Sequence, residues 1–212
     1  MGKRSTWLGI AAALLLAGGG GAALALADGD GEASPAATAT PTTDSADAGF
    51  ARDMAVHHQQ AVEMSFVIRA RTDDEEIRRL AYDIANTQAN QRGMLLGWLS
   101  LWGLPVASGD APMGWMDMAA SPAPGHDGAL MPGMATKTQM KRLGELSGKE
   151  AEILFLQLMT EHHKGGVHMA QGCVDRCEVG VEQRLAQGMV DAQESEIELM
   201  ADLLRARGAE AR

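Results

Sequence analysis

Residues 54–64 read MAVHHQQAVEM, and residues 159–169 read MTEHHKGGVHM. Each segment begins and ends with methionine and has two adjacent histidines three residues after the first methionine. Adding 105 to a residue number converts one segment into the other, and this register holds without a gap from 50–103 to 155–208. An internal repeat of this length predicts two copies of one structural unit.

Identical residues occur along the whole repeat and not only around the histidines. Because the matches keep one register over more than fifty residues, a chance origin is excluded. The identical pairs are Phe50/Phe155, Met54/Met159, His57/His162, His58/His163, Val62/Val167, Met64/Met169, Arg71/Arg176, Arg79/Arg184, Leu80/Leu185, Ala81/Ala186, Gln88/Gln193 and Gly103/Gly208.

Each copy is predicted to be a helical hairpin. From Phe50 to Ile68, the apolar and histidine positions recur at three- and four-residue steps, which is the pattern of one helix face. No stretch alternates in the manner of a half-buried strand. The sequence therefore predicts an all-α fold, a four-helix bundle whose two hairpins are related by a pseudo-twofold axis.

Helix ends are predicted from capping signals. Thr72 and Ser147 each precede a glutamate by three residues, which is the form of a capping box that opens a helix. Gly103 and Gly208 are in the positions expected after the second helix of each copy. The last helix is expected over about 177–207.

The bundle domain is expected over 49–208, with repeat 1 at 50–103 and repeat 2 at 147–208. The connector between them, 104–146, is too long for a tight turn, and a short helix is expected at its end from about residue 136. Disorder and weak capture of Cu(I) are both open for the connector. Its candidate ligands are Met113, Met116, Met118, His126, Met131 and Met134.

The first 27 residues are predicted to lie outside the fold. Lys3 and Arg4 precede an uncharged stretch, and Ala25-Leu26-Ala27 has the form of a signal-peptidase site. An uncleaved membrane anchor formed by residues 7–27 is the alternative, and both place the remaining chain outside the cytoplasm. Residues 28–48, rich in Asp, Gly, Ser, Thr, Pro and Ala, are expected to be a flexible linker, with order beginning near Phe50.

The charge and composition narrow the classes of partner. The net charge is −10, which argues against nucleic acid, because phosphate binding requires a basic surface. The 14 methionines provide thioether sulfur, a soft metal ligand as well as a core filler. A metal ion is the expected partner, contact with a membrane is expected only through an uncleaved N-terminal segment, and a homo-oligomer remains open.

Helical geometry places the methionines and histidines of each repeat on one face of a helix. Ala61 and Gly166 are small, so space is expected in front of the histidines if the two faces meet. Imidazole accepts several metals, whereas thioether sulfur favours Cu(I). The Glu-x-x-His motif of di-iron bundles and the His-Glu-x-x-His motif of zinc proteases do not occur. The candidate ligands are Met54, His57, His58, Met64, Met159, His162, His163, His168 and Met169.

The two cysteines and two glutamines have alternative interpretations. Cys173 and Cys177, four residues apart, are expected to form a disulfide in an exported chain, and a thiolate pair that binds Cu(I) is the alternative. Gln88 and Gln193 either orient the histidines or are simply exposed, and Glu196 is a further candidate to orient them.

The chain resembles the domain of unknown function 305 family (DUF305) over about 50–208. The resemblance implies a ferritin-like four-helix bundle, which is often exported, and some members bind copper and contribute to copper resistance. The motifs that carry it are Phe50-x3-Met54-x2-His57-His58-x5-Met64, its copy from Phe155 to Met169, Met131-Pro-Gly-Met134, and Gln193-x-x-Glu196-Ile197-x-x-Met200.

By this resemblance, the implied copper ligands are the four histidines and four methionines that the two repeats share. Two departures from the family pattern concern the site. Gln91 occupies the position where a glutamate matching Glu196 is expected, and Gly165-Gly166 replaces the usual Gln/Gly-Ala. The two halves are therefore expected to differ in affinity, or only one is occupied.

Three functions follow from these patterns. The first is an exported protein that captures or delivers copper, as Cu(I) or Cu(II). The second is a copper or di-metal oxidoreductase, although the chain has no nucleophile triad, phosphate-binding loop or carboxylate pair to support it. The third is a metal-free, membrane-tethered interaction module in which the histidines are merely buried.

Overall fold

A computed structural model describes residues 40–118 and 127–211, and within these ranges the chain is helical and contains no strand. The prediction of an all-α fold is therefore confirmed. The predicted leader and His126 lie outside the described residues. None of the described helices is long and apolar enough to span a membrane. The helices are α1 (Ala46–Arg69), α2 (Glu75–Leu101), α3 (Lys137–Glu145), α4 (Gly148–Arg176) and α5 (Gly180–Ala206), with a 3₁₀ turn at Gly114–Met116.

The four long helices form two hairpins, α1 with α2 and α4 with α5, and α1 packs against α4. Helices α1 and α4 are antiparallel. At one end, the backbone N–H of Gly148 donates to the carbonyl of Arg71, 2.7 Å away. At the other end, the Asp47 carboxylate accepts the N–H of Val179, 2.8 Å away. The repeat thus generates a pseudo-twofold arrangement in which α1 and α4 are equivalent.

The apolar side chains form two clusters at different levels of the bundle. The first contains Ile68 and Ile77 of the first hairpin with Phe155 and Leu204 of the second. The second contains side chains at the opposite ends of the same helices, among them Phe50, Leu95, Cys173 and Met189. Each fully buried side chain of this size contributes about 1.5–3 kcal/mol to folding. The histidines of α1 and α4 lie between the two clusters along their helices.

The predicted capping boxes at Thr72 and Ser147 were wrong. Asp74 is the N-cap of α2, where its carboxylate accepts the N–H groups of Glu76 and Ile77, both at 3.0 Å. The Thr72 hydroxyl instead donates to a carboxylate oxygen of Glu152 in α4, 2.5 Å away. Ser147 is in the N-cap position of α4, but its side chain makes no capping bond. The Thr72 oxygen accepts the N–H of Asp74, 3.0 Å away, which lies before the first residue of α2, so it does not cap that helix.

Helix α1 begins at Ala46, earlier than the expected start near Phe50. The Ser45 hydroxyl caps it by accepting the N–H of Ala48, 3.2 Å away. Asp47 in its first turn accepts backbone N–H groups at the start of α5, and these contacts anchor residues that composition assigned to a linker. The last helix, by contrast, begins at Gly180, three residues later than expected.

The described parts of the connector pack on the bundle. Asp53 of α1 accepts the backbone N–H of Met113 at 2.8 Å and the indole N–H of Trp115 at 2.9 Å. The Trp115 ring meets Phe50 edge to face, with centroids 5.8 Å apart. Met113, Met116 and Met131 are buried, so in these segments methionine serves as core. The predicted short helix is present as α3, capped by Thr136.

Candidate metal centre

Four histidines meet where α1 packs against α4. His57 and His58 come from α1, His162 and His163 come from α4, and all four are fully buried. The imidazole rings of His57 and His162 lie face to face, with centroids 3.8 Å apart and planes tilted by 33°. The structure therefore brings the two repeated histidine pairs together at the centre of the helix interface.

Backbone carbonyls fix the orientation of the two stacked rings. Nε2 of His162 lies 3.0 Å from the carbonyl oxygen of His57. Nε2 of His57 lies 3.3 Å from the carbonyl oxygen of Pro132 in the connector. Because a carbonyl oxygen only accepts hydrogen bonds, each Nε2 carries the proton and each Nδ1 has a free lone pair. Both rings are thus held in the tautomer that can bind a cation through Nδ1.

Five buried imidazole nitrogens have no hydrogen-bond partner among the described residues. They are Nδ1 of His57, His162 and His163, together with both nitrogens of His58. A buried polar atom that loses water without gaining a partner costs about 1–3 kcal/mol, so a concentration of them at one place requires an explanation. The lone pair of a neutral imidazole can bind a metal cation, and imidazole is the commonest metal ligand in proteins.

The outer partners of the histidines differ between the two halves. Nε2 of His163 donates to the Glu196 carboxylate of α5, 2.6 Å away, as in the carboxylate–imidazole pairs that orient metal-binding histidines. At the position equivalent to Glu196, the neutral side chain of Gln91 lies beside His58, without a hydrogen bond that meets ordinary geometric limits. The half that contains His163 therefore has a charged outer partner, whereas the half that contains His58 has a neutral one.

Gln88 and Gln193 are both buried, which excludes the interpretation that they are exposed. The side chain of Gln193 closely approaches Gly166 of α4, so closely that a Cβ at this position would overlap its amide oxygen. That oxygen and both polar atoms of Gln88 have no hydrogen-bond partner among the described residues. The two amides add further unpaired polar atoms to the same region of the bundle interior.

Burial keeps the central histidines neutral. Loss of water lowers the pKa of His57 to about 4, and repulsion from His163 contributes. Burial and then the proximity of His57 lower the pKa of His58 to about 3. The pKa of His162 is also well below its usual value, first because of burial and then because of His57. Their ring nitrogens are therefore available as ligands over most of the pH range in which the protein would meet a metal.

The four predicted methionine ligands are buried, two on each side of the histidines. Met54 and Met169 belong to one apolar cluster, and Met64 and Met159 belong to the other. Within 40–118 and 127–211, the histidines and carboxylates of this centre do not form a group of three donors placed to hold one metal ion. A cation held by more than two imidazoles would therefore require side chains to rotate.

His168 does not belong to this centre, and its prediction as a ligand was wrong. Its side chain is exposed on α4. Six residues separate it from His162, and at 3.6 residues per turn it points about 120° away from that side chain. The prediction grouped His168 with the ligands because it is adjacent to Met169, but adjacent residues of a helix point in different directions.

Residues 131–134 cover the outer side of His57, a role that sequence reasoning missed. The Pro132 carbonyl touches α4 at Gly165, where a Cβ would overlap it. Gly133 has a φ of +80°, and a Cβ at this position would likewise overlap the carbonyl oxygen of Glu161. The Met-Pro-Gly-Met sequence and the double glycine on α4 were the available signals, since both permit close backbone contact.

We expect Gly165→Ala to destabilise the protein by roughly 1–3 kcal/mol, because the new methyl group must displace the Pro132 carbonyl from α4. Urea denaturation measures the free energy of unfolding. Gly188→Ala is the matched control, since it lies inside α5 with open space around it and should stabilise by up to about 1 kcal/mol. Equal effects of the two substitutions would contradict the contact between the connector and α4.

Cys173 and Cys177 are joined by a disulfide with a Cα–Cα distance of 4.8 Å. Cys177 is the C-cap of α4, and its backbone N–H donates to the carbonyl of Cys173, 2.8 Å away. The disulfide lies in the apolar cluster that also contains Met54 and Met169. It therefore closes the last turn of α4 before the chain turns into α5.

Comparison with solved structures finds the same fold in several proteins. A crystal structure of a DUF305 protein from Streptomyces coelicolor is 68% identical, covers 81% of this chain and 99% of that chain, and has a TM-score of 0.75. A DUF305 fragment from Deinococcus radiodurans is 28% identical, covering 74% of this chain and 94% of that chain, with a TM-score of 0.61.

CopM in its Cu(I)-bound form is 20% identical, covers 76% of this chain and 96% of that chain, and has a TM-score of 0.58. At this identity, the likeness to CopM shows the fold alone. The comparison with curated proteins finds no match. The family model for DUF305, a domain of unknown function, matches residues 47–204. This match covers nearly all of the four long helices and the whole histidine centre, and the chain therefore belongs to the DUF305 family.

Proposed function

We propose that the protein is exported and captures copper, chiefly as Cu(I), at the histidine centre between α1 and α4. The observation that carries this proposal is the set of five buried imidazole nitrogens without partners, contributed by two helices that a repeat makes equivalent. Copper is cargo that the protein binds and releases. Whether it is stored or passed on depends on a partner protein.

The chemistry of the available donors supports a soft cation. Neutral imidazole binds Cu(I), Cu(II) and Zn(II), and thioether sulfur adds a preference for Cu(I). A tetrahedral Zn(II) site requires four well-placed donors, and among the described residues the histidines and carboxylates of this centre do not form even a group of three. Methionines on both sides of the histidines provide sulfur that a Cu(I) ion can recruit.

Relatives are consistent with this assignment. CopM, which has the same fold, has been crystallised with Cu(I), with Cu(II) and with silver. The relative from Streptomyces coelicolor is described as inferred to be secreted. Export of the present chain would place the histidine centre where copper arrives from outside the cell.

The direct test is a competition titration of the metal-free protein with a chromogenic Cu(I) chelator, with a parallel titration for Zn(II). We expect Cu(I) to bind more tightly than Zn(II). Protein that takes up neither metal would contradict the proposal and favour a metal-free interaction module. Turnover of peroxide or oxidation of Cu(I) by the loaded protein would favour the oxidoreductase instead.

Removing sulfur while keeping apolar volume tests the role of the methionines. We expect Met54→Leu with Met159→Leu to lower Cu(I) affinity about tenfold, roughly 1.4 kcal/mol, with little change in Cu(II) affinity. Folding should survive, because Leu and Met have similar volumes. The same chelator titration measures the change. Met94→Leu is the control, since this methionine is 40% exposed on α2. Unchanged Cu(I) affinity in the double variant would exclude these two sulfurs as ligands.

A further inference from the structure

A second group of potential ligands lies where α4 turns into α5, away from the histidines. Sγ of Cys173, Sγ of Cys177 and a carboxylate oxygen of Glu182 all lie within 4.8 Å of one another, and all three residues are buried. Cys173 is ten residues beyond His163 on the same helix, which is about 15 Å along its axis. The two groups are therefore separate places in the bundle.

Glu182 is the unusual member of this group. Its side chain is completely buried, and neither carboxylate oxygen has a hydrogen-bond partner that meets ordinary geometric limits among the described residues. Its charged neighbour is another acid, Asp47 of α1. Burial and then the proximity of Asp47 raise the pKa of Glu182 to about 9. A buried acid beside a second acid is costly unless a proton or a cation neutralises it.

Asp47 has an evident structural role, and Glu182 does not. The Asp47 carboxylate accepts the backbone N–H groups of Glu178 and Val179 at 3.0 and 2.8 Å, and so caps the start of α5. Glu182 lies in the first turn of α5 and faces the two sulfurs. Its position is explained if it serves as a ligand beside a reduced cysteine pair.

We propose that reduction of the Cys173–Cys177 disulfide opens a site in which both thiolates and the Glu182 carboxylate bind one Zn(II) ion. Two thiolate sulfurs and one carboxylate oxygen are a donor set that suits Zn(II), which takes four ligands from Cys, His, Asp and Glu. The fourth ligand of the zinc ion is then Asp47 or a water molecule. The disulfide form offers no thiolate, so the same residues bind zinc only in the reduced state.

The chemical steps balance with a dithiol as the reductant. The dithiol transfers two electrons and two protons, the S–S bond of the protein breaks, and the reductant becomes a disulfide. Zn(II) then replaces the protons of both thiols and of Glu182, and three protons pass to solvent. The bound ion with its three anionic ligands has a net charge of −1, so the added cation offsets most of the charge that deprotonation creates.

The test uses the full chain, oxidised or reduced with a phosphine under anaerobic conditions, and titrates Zn(II) against a chromogenic zinc chelator. Reduced protein should bind one more equivalent of Zn(II) than oxidised protein. Co(II) in place of Zn(II) should give thiolate charge-transfer absorption only in the reduced form. Far-UV circular dichroism should show that the reduced protein keeps its helices, since the disulfide spans only four residues.

Variants then assign the ligands. Cys173→Ser with Cys177→Ser should abolish the extra equivalent, and Glu182→Gln should weaken it at least tenfold while the Co(II)–thiolate absorption remains. Glu178→Gln, an exposed acid nearby, is the matched control and should have no effect. His57→Ala with His162→Ala should keep the extra equivalent, which separates this site from the proposed copper centre. Equal zinc binding in both redox states, unchanged affinity in Glu182→Gln, or capture of Cu(I) but not Zn(II) would overturn the proposal.

Discussion

Replacing both His57 and His162 with alanine is expected to lower Cu(I) affinity by about 100-fold or more, roughly 2.7 kcal/mol. The two rings stack on one another, each has a buried Nδ1 without a partner, and each is oriented by a carbonyl bond at Nε2. Their removal takes away both preoriented lone pairs. Competition with a chromogenic Cu(I) chelator measures the loss.

His168→Ala is the control for this variant. It removes the same type of side chain from the same helix as His162, but from the exposed face. Its Cu(I) affinity should equal that of the unaltered protein, and circular dichroism should show that both variants remain helical. If the His57/His162 variant competes for copper as well as the unaltered protein, copper binds elsewhere, and the connector methionines or the cysteine pair become the candidates.

Acidification from pH 6.5 to 4 is expected to destabilise the metal-free protein by several kcal/mol. Burial lowers the pKa of His57 to about 4 and that of His58 to about 3, whereas in the unfolded chain both are near 6.5. Between these values, the unfolded chain binds protons that the folded protein does not. Stability therefore falls as the pH falls below 6.5, by up to about 1.4 kcal/mol per pH unit for each such histidine, and levels off below the folded-state pKa values.

Urea denaturation between pH 7 and about pH 4 measures this dependence. The His57→Ala/His162→Ala variant should lose stability less steeply, because two of the histidines that must stay neutral are absent. His168→Ala should follow the unaltered protein. Identical slopes in all three proteins would show that carboxylates alone cause the acid sensitivity.

The same burial changes the expected pH range of copper binding. A free imidazole competes with protons below about pH 6.5. At His57 and His58, the pKa values of about 4 and 3 mean that protons compete only in more acidic solution. Cu(I) affinity should therefore persist to about pH 5. The sequence alone supplied only the unperturbed value, because the shift comes from burial between α1 and α4.

The repeat explains why so much of the centre was predictable. A constant offset of 105 makes α1 and α4 equivalent, and a histidine pair at one place on each helix meets its copy when the helices pack antiparallel. Glu196 was predicted as an outer partner, and it contacts His163. The Gln91 departure was visible in the sequence, although its position beside His58 required the fold.

The failures concern interactions that join distant parts of the chain. Thr72 has the local pattern of a helix cap, but it pairs with Glu152, 80 residues away. Asp47 reads as part of a linker, yet it caps α5 across 132 residues. The composition of the connector left disorder open, yet the Asp53 carboxylate accepts the backbone N–H of Met113 and the indole N–H of Trp115. Local sequence patterns cannot predict these partners, because each interaction contributes free energy only after distant parts of the chain have packed together.

The sequence by itself determined the all-α class, the two equivalent hairpins and the histidine pair that each of them carries. These depend on helical periodicity and on a repeat, and both are properties of the linear chain. Only the tertiary structure decided that the two histidine pairs meet, that five of their ring nitrogens are buried without partners, that residues 131–134 cover His57, and that Glu182 lies beside the cysteines. Burial, desolvation and polar atoms without partners are properties of packed helices. They arise when surfaces that are far apart in the sequence exclude water from one another.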